Sequence, residues 1–149
     1  GSIPATPAIY KPGGNMSDCV FCKIVAGEIP SHKVYEDDAV IAFLDISHFT
    51  VGHTLIIPKS HYTDLLDTPD EIIAKIAVLA KDLAANYKPT LRADGFNVKQ
   101  NSGTVSGQEV MHYHVHLIPR CEGGKFKFAI QHKEKKVDLA EVAAKLRND

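Results

Sequence analysis

Three histidines alternate with other residues in the segment His112-Tyr113-His114-Val115-His116, towards the end of the chain. If this segment is a β-strand, the three imidazoles share one face and neighbours on that face lie about 6.5–7 Å apart. Histidine is typical of sites that need proton transfer, nucleophilic attack or metal ligation near neutral pH. A solvated polar face does not explain histidine at all three positions. The pattern therefore predicts a reactive site on one face of the strand.

A second set of reactive side chains begins with Cys19 and Cys22, which are separated by two residues. Zinc sites and redox motifs share this spacing, so the pair alone leaves both open. The chain has three cysteines, and an odd number is poor material for a disulfide framework. We therefore expect a reduced, cytoplasmic protein whose thiols bind a metal.

A zinc ion held jointly by His112, His114 and His116 is one alternative, because three histidines and a water form a known type of hydrolytic site. In an extended strand, however, the outer two positions are about 13 Å apart. Zinc bonds of about 2 Å cannot bridge that distance. This alternative is therefore disfavoured.

The elements that must position these residues follow from apolar periodicity and turn residues. We predict strands over residues 34–36, 40–44, 54–58, 95–101 and 110–119. We predict helices over residues 19–28 (a short helix or turn), 68–89 and 138–146. Strands that mostly follow one another, with one major helix, indicate an α+β fold in which an antiparallel sheet carries helices.

The major helix has a recognisable beginning at Thr68-Pro69-Asp70-Glu71. Thr68 is expected to cap it, Pro69 to take the first helical position and Glu71 to complete a capping box. Its apolar stripe follows at helical spacing in Ile72, Ile76, Leu79 and Leu83. We expect the helix to end between residues 86 and 89.

Length and composition limit the class of protein. The chain has 149 residues, 44% hydrophobic and 23% charged, which is typical of one globular domain. Residues 1–15 begin with Gly-Ser and show no periodicity. We therefore expect a disordered leader left by expression, followed by a single domain over residues 16–149 with a tail from about residue 121.

Charge and hydropathy predict neither a nucleic-acid nor a membrane partner. No apolar run approaches the ~20 residues of a membrane helix, and a net charge of −1 gives no general attraction to polyanions. We interpret the basic tail as a solvated segment rather than a nucleic-acid site. Its lysines are Lys125, Lys127, Lys133, Lys135 and Lys136.

Residues 112–118 match the pattern His-φ-His-φ-His-φ-φ, where φ is apolar, and the chain thereby resembles the histidine-triad (HIT) family. The resemblance extends from Cys19 to about Arg120, with Asp45, His53, Pro58-Lys59-x-His61, Asn101 and Gly107-Gln108 in the expected order. It is strongest to the hydrolase branch, near the purine nucleoside phosphoramidases and bacterial histidine-triad proteins. It implies a HIT fold of about five antiparallel strands, one major helix and short terminal helices.

The resemblance assigns catalytic roles. His114 would attack the α-phosphorus of a purine nucleotide through one ring nitrogen, while a backbone carbonyl holds the proton on the other. His116 and His53 would line the phosphate site and stabilise developing charge. Gln108 would contact the phosphate or the leaving group.

The resemblance also assigns nucleotide contacts. Asp45 would accept the ribose hydroxyls, Asn101 would lie beside ribose and phosphate, and Gly107 would aim backbone N–H groups at the phosphate. Phe43 and Ile46 would flank the purine, with simple core packing as the alternative reading.

Glu109 departs from the Ser or Thr common in the family's phosphoramidases. The resemblance places it among the nucleotide-binding residues. Because it is out of phase with the three histidines on a strand, a carboxylate that faces elsewhere is the alternative.

For the metal, the resemblance implies a structural zinc held by Cys19, Cys22, His61 and His112, with a pair of half-buried free cysteines as the alternative. The implied reaction is hydrolysis of nucleoside phosphoramidates or dinucleoside polyphosphates through a nucleotidyl-histidine, with release of a nucleoside monophosphate. The resemblance also implies a homodimer. A nucleotide-binding or scaffold protein with negligible turnover and a nucleotidyltransferase stay open as alternatives.

Overall fold

The structure is a computed structural model, and it describes residues 18–46, 50–122 and 138–147. The expected leader and the lysines of the basic tail lie outside the described residues. Among the described residues, no helix combines the length and apolar character needed to cross a membrane.

A five-stranded antiparallel sheet forms the centre of the fold, in the order β1-β2-β3-β5-β4. The strands are β1 (Lys33–Glu36), β2 (Val40–Leu44), β3 (Thr54–Pro58), β4 (Gly95–Lys99) and β5 (Val115–Arg120). The helices are α1 (Val20–Val25), α2 (Asp70–Leu91) and α3 (Leu139–Leu146). The predicted α+β architecture, with about five strands and one major helix, is confirmed.

The two faces of the sheet have different partners. Every residue of β2 and β3 is buried, as expected for strands covered on both sides. Alternate residues Val40, Ala42 and Leu44 pack in the core that includes α2 and α3. Ile41 and Phe43 pack on the opposite face in a smaller cluster with α1. The second face is the one on which the reactive residues lie.

The beginning of α2 differs from the prediction. Helical hydrogen bonding begins at Asp70, and Pro69 is the capping residue without a side-chain bond. The Thr68 hydroxyl instead donates to the Asp64 carbonyl at 2.6 Å and is buried. Thr68 therefore closes the preceding turn, and the predicted capping box is wrong.

The end of α2 also differs, because the helix continues through Pro89 to Leu91. Tyr87 and Leu91 extend the apolar stripe by one helical turn each and are 0% and 1% exposed. Their burial outweighs the backbone hydrogen bond that proline cannot donate. The helix then stops at Arg92, which has a left-handed backbone with φ of 54°.

Strand β5 is shorter than predicted. It begins at Val115 rather than residue 110, so His112 and His114 precede the paired strand. The segment is nevertheless fixed, because Tyr113 N–H donates to the Tyr62 carbonyl at 2.6 Å. Strand β5 lies between β3 and β4, so it is an inner strand of the sheet with a neighbour on each side.

Candidate active site

His114 is a buried imidazole with a fixed tautomer. Its Nδ1 lies 2.7 Å from the carbonyl oxygen of His112, and because a carbonyl can only accept, Nδ1 carries the proton. The lone pair is therefore on Nε2 when the ring is neutral. Burial lowers the pKa of His114, which favours that neutral form at pH 7. His114 is thus prepared to act as a nucleophile through Nε2.

His116 and His53 form a pair beside His114. His53 Nε2 lies 3.0 Å from His116 Nδ1 and 3.6 Å from Asp45 Oδ2, and the ring centres of His114 and His116 are 5.0 Å apart. Burial lowers the pKa of His53, and burial followed by the neighbouring charge of His114 lowers the pKa of His116 to about 4. The pair is therefore neutral near pH 7, with N–H groups available to stabilise developing negative charge.

A cavity of about 840 Å³ opens in front of His114 and His116. Phe21 of α1 packs edge-on against Phe43 and His114, with ring centres 5.6 and 5.2 Å apart. An apolar wall beside two imidazoles suits a ligand with a planar ring and a polar end. The residues predicted from the resemblance that line this cavity are Phe43, Asp45, Ile46, Asn101, Gly107, Glu109, His114 and His116.

Phe43 and Ile46 were each given two interpretations, contact with the purine or simple core packing, and the structure distinguishes the two residues. Phe43 is 4% exposed and belongs to the apolar cluster under α1, yet it also lines the cavity. Ile46 is 77% exposed and lies at the cavity rim, so core packing does not describe it.

Glu109 lines the cavity, together with other residues that the resemblance assigns to nucleotide binding. Strand alternation cannot be extended back to residue 109, because the paired strand begins at Val115. The carboxylate is close enough for its charge to raise the pKa of His114, against the larger lowering by burial.

Gln108 lies beneath the loop rather than in the cavity. Its Nε2 donates to the carbonyls of Thr63 and Val110 at 2.7 and 3.0 Å, and its Oε1 accepts from Gly103 N–H at 2.7 Å. The side chain is 4% exposed, so both amide hydrogens and the oxygen are engaged with backbone. This geometry joins the loop over residues 101–107 to the segment that follows His61.

The two cysteines and both histidines predicted to bind zinc come together in a cluster suited to a metal. One ligand atom from each of Cys19, Cys22, His61 and His112 lies within 4.8 Å of the others. Cys22 Sγ is 3.2 Å from His61 Nδ1 and 3.5 Å from His112 Nδ1. Tetrahedral zinc, with bonds of about 2.0–2.3 Å, requires ligand separations of this size.

The protonation of His112 agrees with metal binding. Its Nε2 donates to the Pro58 carbonyl at 2.9 Å, which leaves the Nδ1 lone pair directed at the cysteines, the usual outer-shell arrangement of a ligating histidine. Burial and then the adjacent Cys19 raise the pKa of Cys22 to about 11. A bound cation would reverse that preference and favour the thiolate.

Sequence reasoning missed several cavity residues. Neither Phe21 nor Lys99 was considered, although both line the cavity, as does the segment that leads into β1. Lys99 could have been found from the sequence, because it is the last residue of a strand that ends beside the predicted active site. The residues before β1 carried none, because their place depends on how the chain returns from α1.

Together, the fold and the site define an α+β protein with a buried histidine lining a largely apolar cavity. The family model for the HIT domain matches residues 26–123. The chain therefore belongs to the HIT family.

Individual relatives agree with that assignment. The protein named Hit from Bacillus subtilis is 47% identical over 72% of this chain and 74% of its own length. An Arabidopsis thaliana protein named adenylylsulfatase HINT3 is 42% identical over 71% of this chain and 54% of its own length. The structure is similar to a crystal structure of a zinc-bound histidine triad family protein from Mycobacterium smegmatis, with a TM-score of 0.78 and 40% identity, over 90% of this chain and 94% of that one.

Proposed function

We propose that this protein hydrolyses purine nucleotide conjugates at the α-phosphorus and releases a nucleoside monophosphate. The observation that carries the proposal is the hydrogen bond from His114 Nδ1 to the His112 carbonyl at 2.7 Å. It fixes the tautomer whose Nε2 lone pair is free, on a ring that lines the cavity. The name of the Arabidopsis relative, an adenylylsulfatase, supports an adenylyl group as the part transferred.

The reaction divides into two substitutions at phosphorus. In the first, the Nε2 lone pair forms a P–N bond and the bond to the leaving group breaks, with its electron pair on the leaving group. An amine leaving group takes up a proton from solvent as the bond breaks. In the second, water attacks phosphorus, the P–N bond breaks and its pair returns to Nε2. The proton lost by water passes to solvent. The neutral His53 and His116 stabilise the charge that develops on the phosphoryl oxygens.

The nucleoside would lie in the cavity with its base against the wall formed by Phe21 and Phe43, and Asp45 would accept the ribose hydroxyls. Asn101 and Gly107 would lie beside the phosphate, with Glu109 at the edge. Gln108 would hold the loop over residues 101–107 in place and would not contact the substrate, because its amide N–H groups and oxygen already form hydrogen bonds with the backbone.

The direct test is hydrolysis of adenosine 5′-phosphoramidate, diadenosine tetraphosphate and adenylyl sulfate by wild type, His114→Ala and His114→Asn. The Asn variant keeps an N–H for the His112 carbonyl but lacks the nucleophilic nitrogen. We expect AMP from wild type and a loss of at least about 10³-fold in kcat from both variants. Binding of AMP without turnover by wild type would instead support a nucleotide-binding protein. Transfer of the adenylyl group to an added acceptor would support a nucleotidyltransferase.

We also propose that Cys19, Cys22, His61 and His112 hold a structural zinc ion. The bound ion would join the start of α1 to the segment before β5 and would take no direct part in the reaction. Thiolate ligands require reduced cysteines, which is consistent with a cytoplasmic location. Metal content of the purified chain, measured by elemental analysis, tests this assignment.

A homodimer is the proposed assembly. Strand β4 is an edge of the sheet, and Val98 on it is 61% exposed. Edge strands with apolar side chains are templates for pairing with another chain. Light scattering on wild type and Val98→Lys tests the proposal: wild type should have the mass of two chains and the variant that of one.

A further inference from the structure

A second cavity, of about 490 Å³, adjoins the nucleotide cavity on the side of β4. Its lining residues are His53, Asn97, Val98, Lys99, Ile118 and Arg120. Among the described residues, Lys99 alone lines both cavities. The junction between them is therefore at Lys99, next to the His53–His116 pair.

The strand register explains this placement. Lys99 on β4 lies directly opposite His116 on β5, so the two side chains share a face with Cβ atoms about 4.5–5.5 Å apart. Asn97 lies opposite Ile118, and Arg120 follows two residues beyond on the same face of β5. Arg120 is thus about 13 Å along the strand from His116. These side chains therefore form a row on one face of the sheet, which begins at His116 in the phosphate site and ends at Arg120.

The second cavity has the more positive lining. The nucleotide cavity is lined by the carboxylates of Asp45 and Glu109 as well as by Lys99, whereas the second cavity has Lys99 and Arg120 and no carboxylate among its described lining residues. Neither cation forms an ion pair with a carboxylate in the part of the chain that the structure describes. Burial lowers the pKa of His53, the charge of Asp45 raises it and the charge of Lys99 lowers it, which agrees with the position of Lys99 beside the histidine pair.

We propose that the second cavity is a leaving-group subsite for oxyanions, with Lys99 at the inner end and Arg120 at the outer end. This inference rests on the proposed function of the same site. When the bond from phosphorus to the leaving oxygen breaks, the electron pair remains on that oxygen, and Lys99 stabilises the charge. A sulfate reaches only Lys99, while a polyphosphate chain extends to Arg120. The subsite therefore favours acid leaving groups over ammonia.

The test compares wild type, Lys99→Ala, Lys99→Arg and Arg120→Ala on three substrates that share the adenylyl group. Adenylyl sulfate releases a small oxyanion, diadenosine tetraphosphate releases a long one, and adenosine 5′-phosphoramidate releases ammonia. Lys81→Ala, on the exposed side of α2, is the matched control for loss of one positive charge. The quantity compared is the ratio of kcat/KM for each anionic substrate to that for the phosphoramidate.

We expect Lys99→Ala to lower both ratios by about tenfold, as for loss of a charge-assisted hydrogen bond, and Lys99→Arg to restore most of the loss. Arg120→Ala should lower the ratio for diadenosine tetraphosphate alone, and Lys81→Ala should change neither. Unchanged ratios in Lys99→Ala, with all three substrates still hydrolysed, would overturn the subsite and leave the proposed function intact. Absence of turnover by wild type on all three substrates would overturn both.

Discussion

The ring of His114 donates a hydrogen bond from Nδ1 to the backbone carbonyl of His112, at 2.7 Å. The ring of His112 meanwhile lies 3.4 Å from Cys19 Sγ, in the metal cluster. One residue thus contributes its side chain to the proposed zinc site and its carbonyl to the tautomer of the proposed nucleophile. The stability of the cluster and the geometry of the active site are therefore coupled through His112.

The first prediction concerns this coupling. Cys22→Ser should abolish zinc binding and lower the melting temperature by about 5–10 °C, because a structural metal contributes directly to folding. It should also reduce kcat, since His112 loses its anchor. Metal analysis, calorimetry and the AMP-release assay measure the three effects. Cys121→Ser, outside the cluster, is the control that should retain zinc. Full zinc content in Cys22→Ser would contradict the assigned ligand set.

The second prediction concerns the charge on Glu109. The pKa of His114 is lowered chiefly by burial, and Glu109 opposes that lowering. Removal of the carboxylate in Glu109→Gln should therefore lower the pKa further. Since attack requires the neutral ring, activity is lost as pH falls through this pKa. The acidic limb of the kcat/KM profile should move to lower pH in Glu109→Gln.

Glu71→Gln, an exposed position on α2, serves as the control for that profile. A limb that moves to higher pH in Glu109→Gln would show that the carboxylate does not act on His114 as described.

The third prediction separates positioning from contact at Gln108. Gln108→Ala removes three hydrogen bonds to backbone groups, which should lower the free energy of unfolding by about 2–4 kcal/mol. The loop over residues 101–107 would lose its connection to Thr63, so KM should rise more than kcat falls. Chemical denaturation and steady-state kinetics provide the two measurements. A large loss of kcat with unchanged stability would instead indicate that Gln108 contacts the reacting groups.

The fourth prediction concerns the turn that delivers His53. Gly52 has a φ of +86°, and a Cβ there would lie 2.5 Å from Leu91 Cδ1 and 3.2 Å from Pro119 Cγ. Gly52→Ala should therefore combine backbone strain with a clash and lower the melting temperature by about 5 °C or more.

Gly27 provides the matched comparison for that variant. Its φ is +80°, but a Cβ there would have no neighbour within 4 Å. Gly27→Ala should thus show the cost of strain alone and be the milder of the two. Equal losses in melting temperature would mean that the packing of Leu91 against residue 52 contributes nothing.

Local patterns in the sequence predicted a large part of this fold. The stripe of α2 and the short strands could be recognised because their periodicity reflects burial on one or both faces. Errors arose where a distant contact decided the outcome. Thr68 was predicted to cap α2, but its hydroxyl is used by the Asp64 turn. Pro89 was expected to end the helix, but burial of Leu91 continues it.

The candidate site was predicted unevenly for the same reason. His114 and the four residues of the cysteine–histidine cluster were singled out from the sequence because their residue types and motif order are distinctive. Lys99 was not, since its importance depends on the pairing of β4 with β5, which places it opposite His116. The orientation of Glu109 could not be predicted from strand alternation, because the residue lies in the segment before β5.

The two strands that hold the residues around the departing acid differ in how many neighbours they have. His116 and Arg120 belong to β5, which is paired on both sides, while Lys99 belongs to β4, which is paired on one side only among the described residues. A side chain on the outer strand can be exchanged with little disturbance to the inner one. Substitution at Lys99 can thus change which leaving group is preferred while the positions of His114 and His116 stay as they are.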